Sequence, residues 1–211
     1  MKAFRWLLIL FIWLVLFSSM AVTWSLLNLP ETESIQISRQ PSITFLDKDG
    51  RIIASYGDIY GKSIKYQNLP ENLINAVIVT EDKRFFQHHG VDFRGVLRAV
   101  YVNFKEGRIV QGGSTITQQL AKNLFLTPER SYTRKLHELI LSIWLEIRFS
   151  KQQILSIYLN RVYLGSGTYG VQAASEKYFN KKVEDLNLYE CAVIASLLKA
   201  PSRYNPIANK D

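Results

Sequence analysis

The sequence predicts a mainly helical domain that opens with a small β-hairpin and follows a membrane-spanning helix. Three observations carry this: an uncharged run from Trp6 to Pro30, an apolar alternation broken by Asp49-Gly50, and helical periodicity recurring from Pro70 to Lys199. A chain of 211 residues has room for one domain with a substantial core plus an anchor, so a single active site is expected.

The anchor comes first. Lys2 and Arg5 precede the uncharged run, and Glu31 and Glu33 follow it. A spanning helix needs about 20 apolar residues, and the positive-inside rule puts the N-terminus in the cytoplasm. The expected organisation is a cytoplasmic N-terminus at 1–5, a single-pass transmembrane anchor at 6–29, a linker at 30–41 and a domain over 42–211. That domain would face the periplasmic or outer side of the cytoplasmic (inner) membrane. A cleaved signal peptide with Trp6 to Phe17 as its apolar core is the alternative; continuation of the run through Val22, Trp24, Leu26 and Leu27 favours the anchor.

The hairpin is read from Ile43, Phe45, Ile52, Ile53 and Tyr56 around Asp47-Lys48-Asp49-Gly50. The same Asp47 and Asp49 fit a metal-binding D-x-D pattern, but the glycine and flanking strands favour a plain turn. From Pro70 a helix carries Leu73, Val77 and Thr80 on one face and ends at Glu81. A second follows Gly112-Gly113, with Ser114 as cap and Ile116, Leu120 and Leu124 buried. A third has Leu136, Ile140, Ile143 and Ile147 as its apolar stripe, and a fourth opens at Ser150 with Gln153 in capping-box spacing. Two more span Val171 to Phe179 and Leu188 to Lys199, and Pro201 and Pro206 end the regularity.

The net charge of +8 is spread along the chain without a nucleic-acid motif, which argues against nucleic acid as a partner. Anionic lipid headgroups and pyrophosphates fit it better. Cys191 has no disulfide partner and sits in an apolar run, so it reads as a small hydrophobe. Ser196 and Lys199 match S-x-x-K, but no K-T-G or S-x-N follows, and the match is taken as coincidence.

Ser114, Gln118 and Lys122 recur at helical spacing, giving a face of donors and a cation at a helix N-terminus that favours anions, with Arg130 just beyond. The alternative is an ordinary solvated face. Glu81 stands at a helix end beside Phe85 and Phe86, aromatics that could exclude water and suit a general base. Equally, Glu81 could pair with Lys83 or Arg84, and His88 could be held by a hydrogen bond in the fold. Glu138 lies at i+4 from Arg134 and i+3 from Lys135, the spacing of helix salt bridges.

Four ordered segments go further: Glu81 to Gly90 (EDKRFFQHHG), Gly112 to Asn123 (GGSTITQQLAKN), Arg134 to Glu138 (RKLHE) and Lys151 to Asn160 (KQQILSIYLN). Together they resemble the motifs of the peptidoglycan glycosyltransferase family, over about Ser42 to the C-terminus. The resemblance implies a lysozyme-like fold and the joining of lipid II units into glycan strands, with inversion and release of undecaprenyl pyrophosphate. It implies Glu81 as the base taking a proton from the incoming 4-hydroxyl, and Lys122 and Arg130 as cations holding the pyrophosphate. Glu138 would position the donor, with a divalent cation, magnesium or manganese, as a further implied ligand. Ser114, Gln118, Gln119 and Asn123 match positions lining the cleft, and Arg134 and Lys135 belong to the same substrate-binding set. Implied partners are lipid II, the growing strand, the membrane and other cell-wall synthesis proteins.

Gln153 and Ser156 stand where the family commonly carries Glu, and family domains continue beyond the point at which this sequence stops. The Glu81 region and the run from Ser196 to Pro206 look closer to bifunctional class A penicillin-binding proteins than to stand-alone enzymes. A lytic glycosidase on the same fold is the rival enzyme class, and a precursor-binding protein without catalysis is the non-enzymatic one.

Overall fold

The computed structural model describes residues 2–27, 43–49, 52–56, 59–126, 131–201 and 203–204. The expected linker at 30–41 and Arg130 lie outside them. Helix α1 (Lys2–Leu27) runs unbroken for 26 residues, a rise of about 39 Å. Its described side chains from Phe4 to Phe17 are all exposed. Among the described residues no helix is long and apolar enough to cross a membrane. The helix meets the rest of the fold at α5 (Tyr132–Arg148).

The hairpin forms as expected, β1 (Ile43–Leu46) pairing antiparallel with β2 (Ile52–Tyr56) and the register slipping between Phe45 and Leu46. Asp49 N–H donates to Asp47 Oδ1 at 2.8 Å, so the first carboxylate of the D-x-D run caps its own turn. A short parallel pair, β3 (Ile59–Tyr60) with β4 (Thr168–Tyr169), ties the start of the helical domain to the glycine-rich segment. At Gly170 the backbone is left-handed, and a Cβ there would lie 2.7 Å from the Asn160 carbonyl oxygen.

Helix α2 (Glu71–Glu81) packs along α8 (Leu188–Lys199). It buries Leu73, Ile74 and Val77; Thr80, expected on the buried face, is exposed because the last turn faces a cleft instead of the core. Helix α4 (Ile116–Phe125) lies against α5 and α6 (Lys151–Arg161), and α7 (Val171–Phe179) and α8 close the domain. One core draws on α2, α4, α5, α6, α7 and α8. Leu120, Leu145, Ile154 and Leu159 are fully buried in it, each worth roughly 1.5–3 kcal/mol of transfer free energy.

Two helices depart from the expected pattern. Of the expected stripe on α5 Ile140 is buried, with Leu141, Leu145 and the polar Glu138 and Ser142, whereas Leu136, Ile143 and Ile147 point outward. An apolar stripe records a helix's amphipathicity but not what lies opposite it. Helix α3 (Phe93–Glu106), absent from the expected set, follows Asp92 and ends at left-handed Gly107. It buries only Gly95 and Ala99 and leaves Phe93, Leu97, Val100, Tyr101 and Phe104 exposed.

The two departures from the family pattern in α6 have local roles. Gln153 closes a capping box with Ser150, and Ser156 Oγ donates to the Ile64 carbonyl at 2.9 Å. Asn160 clasps the same residue, accepting from Ile64 N–H and donating to its carbonyl, each at 2.8 Å. Cys191 is buried in the core, its Sγ 3.9 Å from the Leu186 carbonyl oxygen.

Candidate active site

Glu81 is the last residue of α2 and half-buried at the floor of a 450 Å³ cleft. The cleft is bounded by the end of α2, the first turns of α3, the 110–115 loop, Gln119 of α4 and Lys199 of α8. A carboxylate at a helix C-terminus faces the negative end of the helix dipole. Gln119 offsets this by donating Nε2–H to Glu81 Oε2 at 2.7 Å, while its own Oε1 accepts from Tyr158 Oη at 3.0 Å. Gln119, expected to line the cleft, does so, with one Nε2–H and its Oε1 engaged within the protein. The expected aromatic wall is also elsewhere: Phe85 is in the core beneath Lys151, 4.4 Å from its ring centre, and no aromatic lines the cleft among the described residues.

Neighbouring Asp82 has a different task. Its buried carboxylate accepts from Ile116 N–H at 3.1 Å and contacts His88 Nε2 at 3.0 and 3.1 Å. Gln118 N–H goes to Thr115 Oγ1, and Gln119 N–H to the Thr115 carbonyl. The N-terminus of α4, expected to receive a substrate anion, is thus filled from inside by Asp82 and by the Thr115 cap. Sequence reasoning placed the cap at Ser114; it is Thr115, in a reciprocal capping box with Gln118, and Thr115 Oγ1 also donates to the Gly90 carbonyl at 2.6 Å. Gln118 is accordingly buried, and Ser114, Gln118 and Lys122 do not form one solvated face. His88 is a hydrogen-bonded residue of the fold.

Ser114 belongs to the cleft rim, where its Oγ accepts from Lys135 Nζ at 3.1 Å. Lys135 also reaches Glu138 Oε2 at 2.7 Å, and Arg134 Nε lies 3.7 Å from Glu138 Oε1. The salt-bridge spacing read from the sequence is therefore realised, around a buried glutamate. A cationic cluster on α5 thus adjoins the Glu81 cleft through Ser114. Lys122 is half-buried farther along α4, makes no ion pair among the described residues and does not line the cleft; Asn123 is exposed.

The surroundings of Glu138 do not fit a metal. Both its oxygens face cationic nitrogens, and among the described residues no three His, Cys, Asp or Glu side chains converge on one point. No step is assigned to a divalent ion.

Several residues at or behind the cleft had no place in the sequence reading. Asp82 sits beside Glu81 and Tyr158 lies inside the fourth motif, so both were in view without a role. Lys199 surfaced only in a coincidental S-x-x-K match, and Arg98 came from the unexpected α3.

Comparison with known proteins agrees with the ordered motifs. The transglycosylase family profile matches residues 49–211. The chain is 47% identical over 180 residues to penicillin-binding protein 1A of Aquifex aeolicus, covering 85% of this chain and 25% of that protein. It is 42% identical over 183 residues to penicillin-binding protein 1A of Pseudomonas aeruginosa, covering 86% and 22% respectively. For penicillin-binding protein 1A of Neisseria lactamica the identity is 48% over 186 residues, 87% of this chain and 23% of that one. The chain spans about a quarter of the length of these curated relatives. With a family profile matching residues 49–211, most of its length, the chain belongs to the transglycosylase family.

Proposed function

We propose that this domain polymerises lipid II into glycan strands by inverting transfer, with Glu81 as general base and undecaprenyl pyrophosphate as leaving group. The observation that carries the reading is Glu81 itself, a half-buried carboxylate with one oxygen bound by Gln119, at a cleft that adjoins the cations of α5. A carboxylate so held can accept the proton of an incoming hydroxyl as it attacks the anomeric carbon. Arg134 and Lys135, with Lys122 and Arg130 by resemblance, supply positive charge for the departing pyrophosphate. No covalent intermediate is required.

A membrane location is supported by two apolar surfaces. One is α1, with every described side chain from Phe4 to Phe17 exposed; the other is α3, where Leu97 is 70% and Phe104 88% exposed. Surfaces of this extent are costly in water and favourable in lipid. They suit a single-pass enzyme of the cytoplasmic membrane acting on a lipid-linked substrate on its outer side. A second reading, that this is the N-terminal part of a bifunctional class A penicillin-binding protein, is favoured by the quarter-length match to the relatives.

Incubating the purified chain with lipid-linked disaccharide precursor tests the activity. Glycan polymer is expected from the parent and none from Glu81→Gln, which keeps size and polarity but removes the base, with its thermal unfolding unchanged. Near-normal polymer from Glu81→Gln overturns the assignment, and shortening of mature strands without polymer points to a lytic glycosidase.

A further inference from the structure

Glu81 Oε2 is bound by Gln119 Nε2, whereas Glu81 Oε1 has no hydrogen bond among the described residues. A carboxamide presents a donor at one end and an acceptor at the other, and rotation by half a turn exchanges them. Turned the other way, Gln119 would set its carbonyl oxygen against a carboxylate oxygen, and the contact would become repulsive. The orientation is fixed from behind. Tyr158 is 1% exposed, sits in the core of α6 and donates its hydroxyl to Gln119 Oε1 at 3.0 Å. Burial, aided by the charge of Glu81, raises the affinity of the phenol for its proton, so the hydroxyl remains a donor.

We infer that Tyr158 is a positioning residue for the reaction: by sorting the Gln119 amide it commits Glu81 Oε2 to an internal hydrogen bond and leaves Oε1 to receive the proton. This rests on the functional reading above. In the step, the O–H bond of the incoming hydroxyl breaks and its proton forms a bond to Glu81 Oε1. The oxygen's electron pair forms the new bond to the anomeric carbon, and the pair of the breaking anomeric C–O bond leaves on the pyrophosphate. A proton placed on Oε2 would confront the Gln119 N–H, donor against donor, so the relay selects the carboxylate oxygen as well as orienting it. Gln119 acts in the same way as a positioning residue, since one N–H holds Glu81 and its oxygen is held by Tyr158.

A double-mutant cycle on the full chain tests this, using Tyr158→Phe, Gln119→Met and the double variant with lipid-linked precursor. Tyr158→Phe is expected to lower kcat about tenfold with KM within twofold, because the base is misaligned while the substrate's own contacts remain. Gln119→Met should lose at least as much, and the double variant no more than Gln119→Met alone. A second readout is independent of turnover. The Gln119 side-chain amide protons, observed by NMR, should carry the downfield signature of a bond to a charged carboxylate in the parent and lose it in both Tyr158→Phe and Glu81→Gln. The same spectra report whether each variant is folded. A kcat for Tyr158→Phe within twofold of the parent, losses that multiply in the double variant, or amide signals unmoved by Tyr158→Phe would each overturn the proposal. A folded parent that makes no polymer sinks the functional reading instead and leaves the amide signals to decide the sorting on their own.

Discussion

Lys122 and Cys191 illustrate how differently one residue can be known. Lys122 owes its role to the motif it belongs to, since the structure gives it no ion pair and keeps it out of the cleft lining among the described residues. If it holds the leaving group, Lys122→Ala should cost about 2–4 kcal/mol of transition-state stabilisation, by analogy with removal of one oxyanion donor. That would appear as a kcat loss of about thirtyfold to a thousandfold in a polymerisation assay, and an unchanged rate would make Lys122 a surface residue. Cys191 needed no resemblance, because an apolar run around a lone cysteine already describes a core position. Burial, with the nearby charge of Glu190, pushes its thiol up from the usual range, which lowers the thiolate population. Alkylation at pH 8 should therefore be slow in the folded chain and rapid in denaturant, followed by mass spectrometry. Residues whose chemistry depends on distant partners were illegible beforehand. Asp82 looks like a second acid beside Glu81, and only the fold reveals that Ile116 and His88 consume it.

Helix α6 begins, and α7 and α8 begin and end, where the sequence reading put them, because the signals there are local: Ser150 with Gln153 before α6, and the changes of pattern that bound α7 and α8. Helix α4 was legible in extent but displaced by one residue at its cap. Ser114 and Thr115 are both good caps, and the choice falls on Thr115, whose hydroxyl can serve the helix and also donate to Gly90. Thr115→Ala removes both interactions, so it should destabilise the domain by about 2 kcal/mol. Ser150→Ala, an exposed cap without a tertiary bond, should cost nearer 1 kcal/mol. Denaturant midpoints of the two variants at equal m-value would check the order, and equal losses would deny Thr115 its second role. Helix α3 was missed although Phe93, Leu97, Val100, Tyr101 and Phe104 recur at helical spacing with Arg94, Arg98 and Lys105 grouped beside them; the stripe on α5 was right only for Ile140, because periodicity does not name the medium it faces.

At the scale of the whole molecule, α1 and α3 are two separate apolar surfaces, which predicts that any membrane association survives loss of α1. A chain lacking residues 1–41 should still sediment with vesicles containing anionic lipid. Changing Leu97 and Phe104 to Ser should reduce the bound fraction several-fold, and binding unaffected by these changes would remove α3 from the account. The bond from Asp82 to the first turn of α4 bears on the history of the chain as well as its shape. It joins residues 34 apart in sequence, a closure costing about 3 kcal/mol of chain entropy by the logarithmic scaling of loop length. The Gln119 contact that fixes Glu81 lies on the far side of the same closure, at a separation of 38. A newly synthesised chain that has formed α2 alone consequently carries Glu81 but cannot orient its carboxylate. If Glu81 is the base, as proposed, activity must wait for α4 to dock.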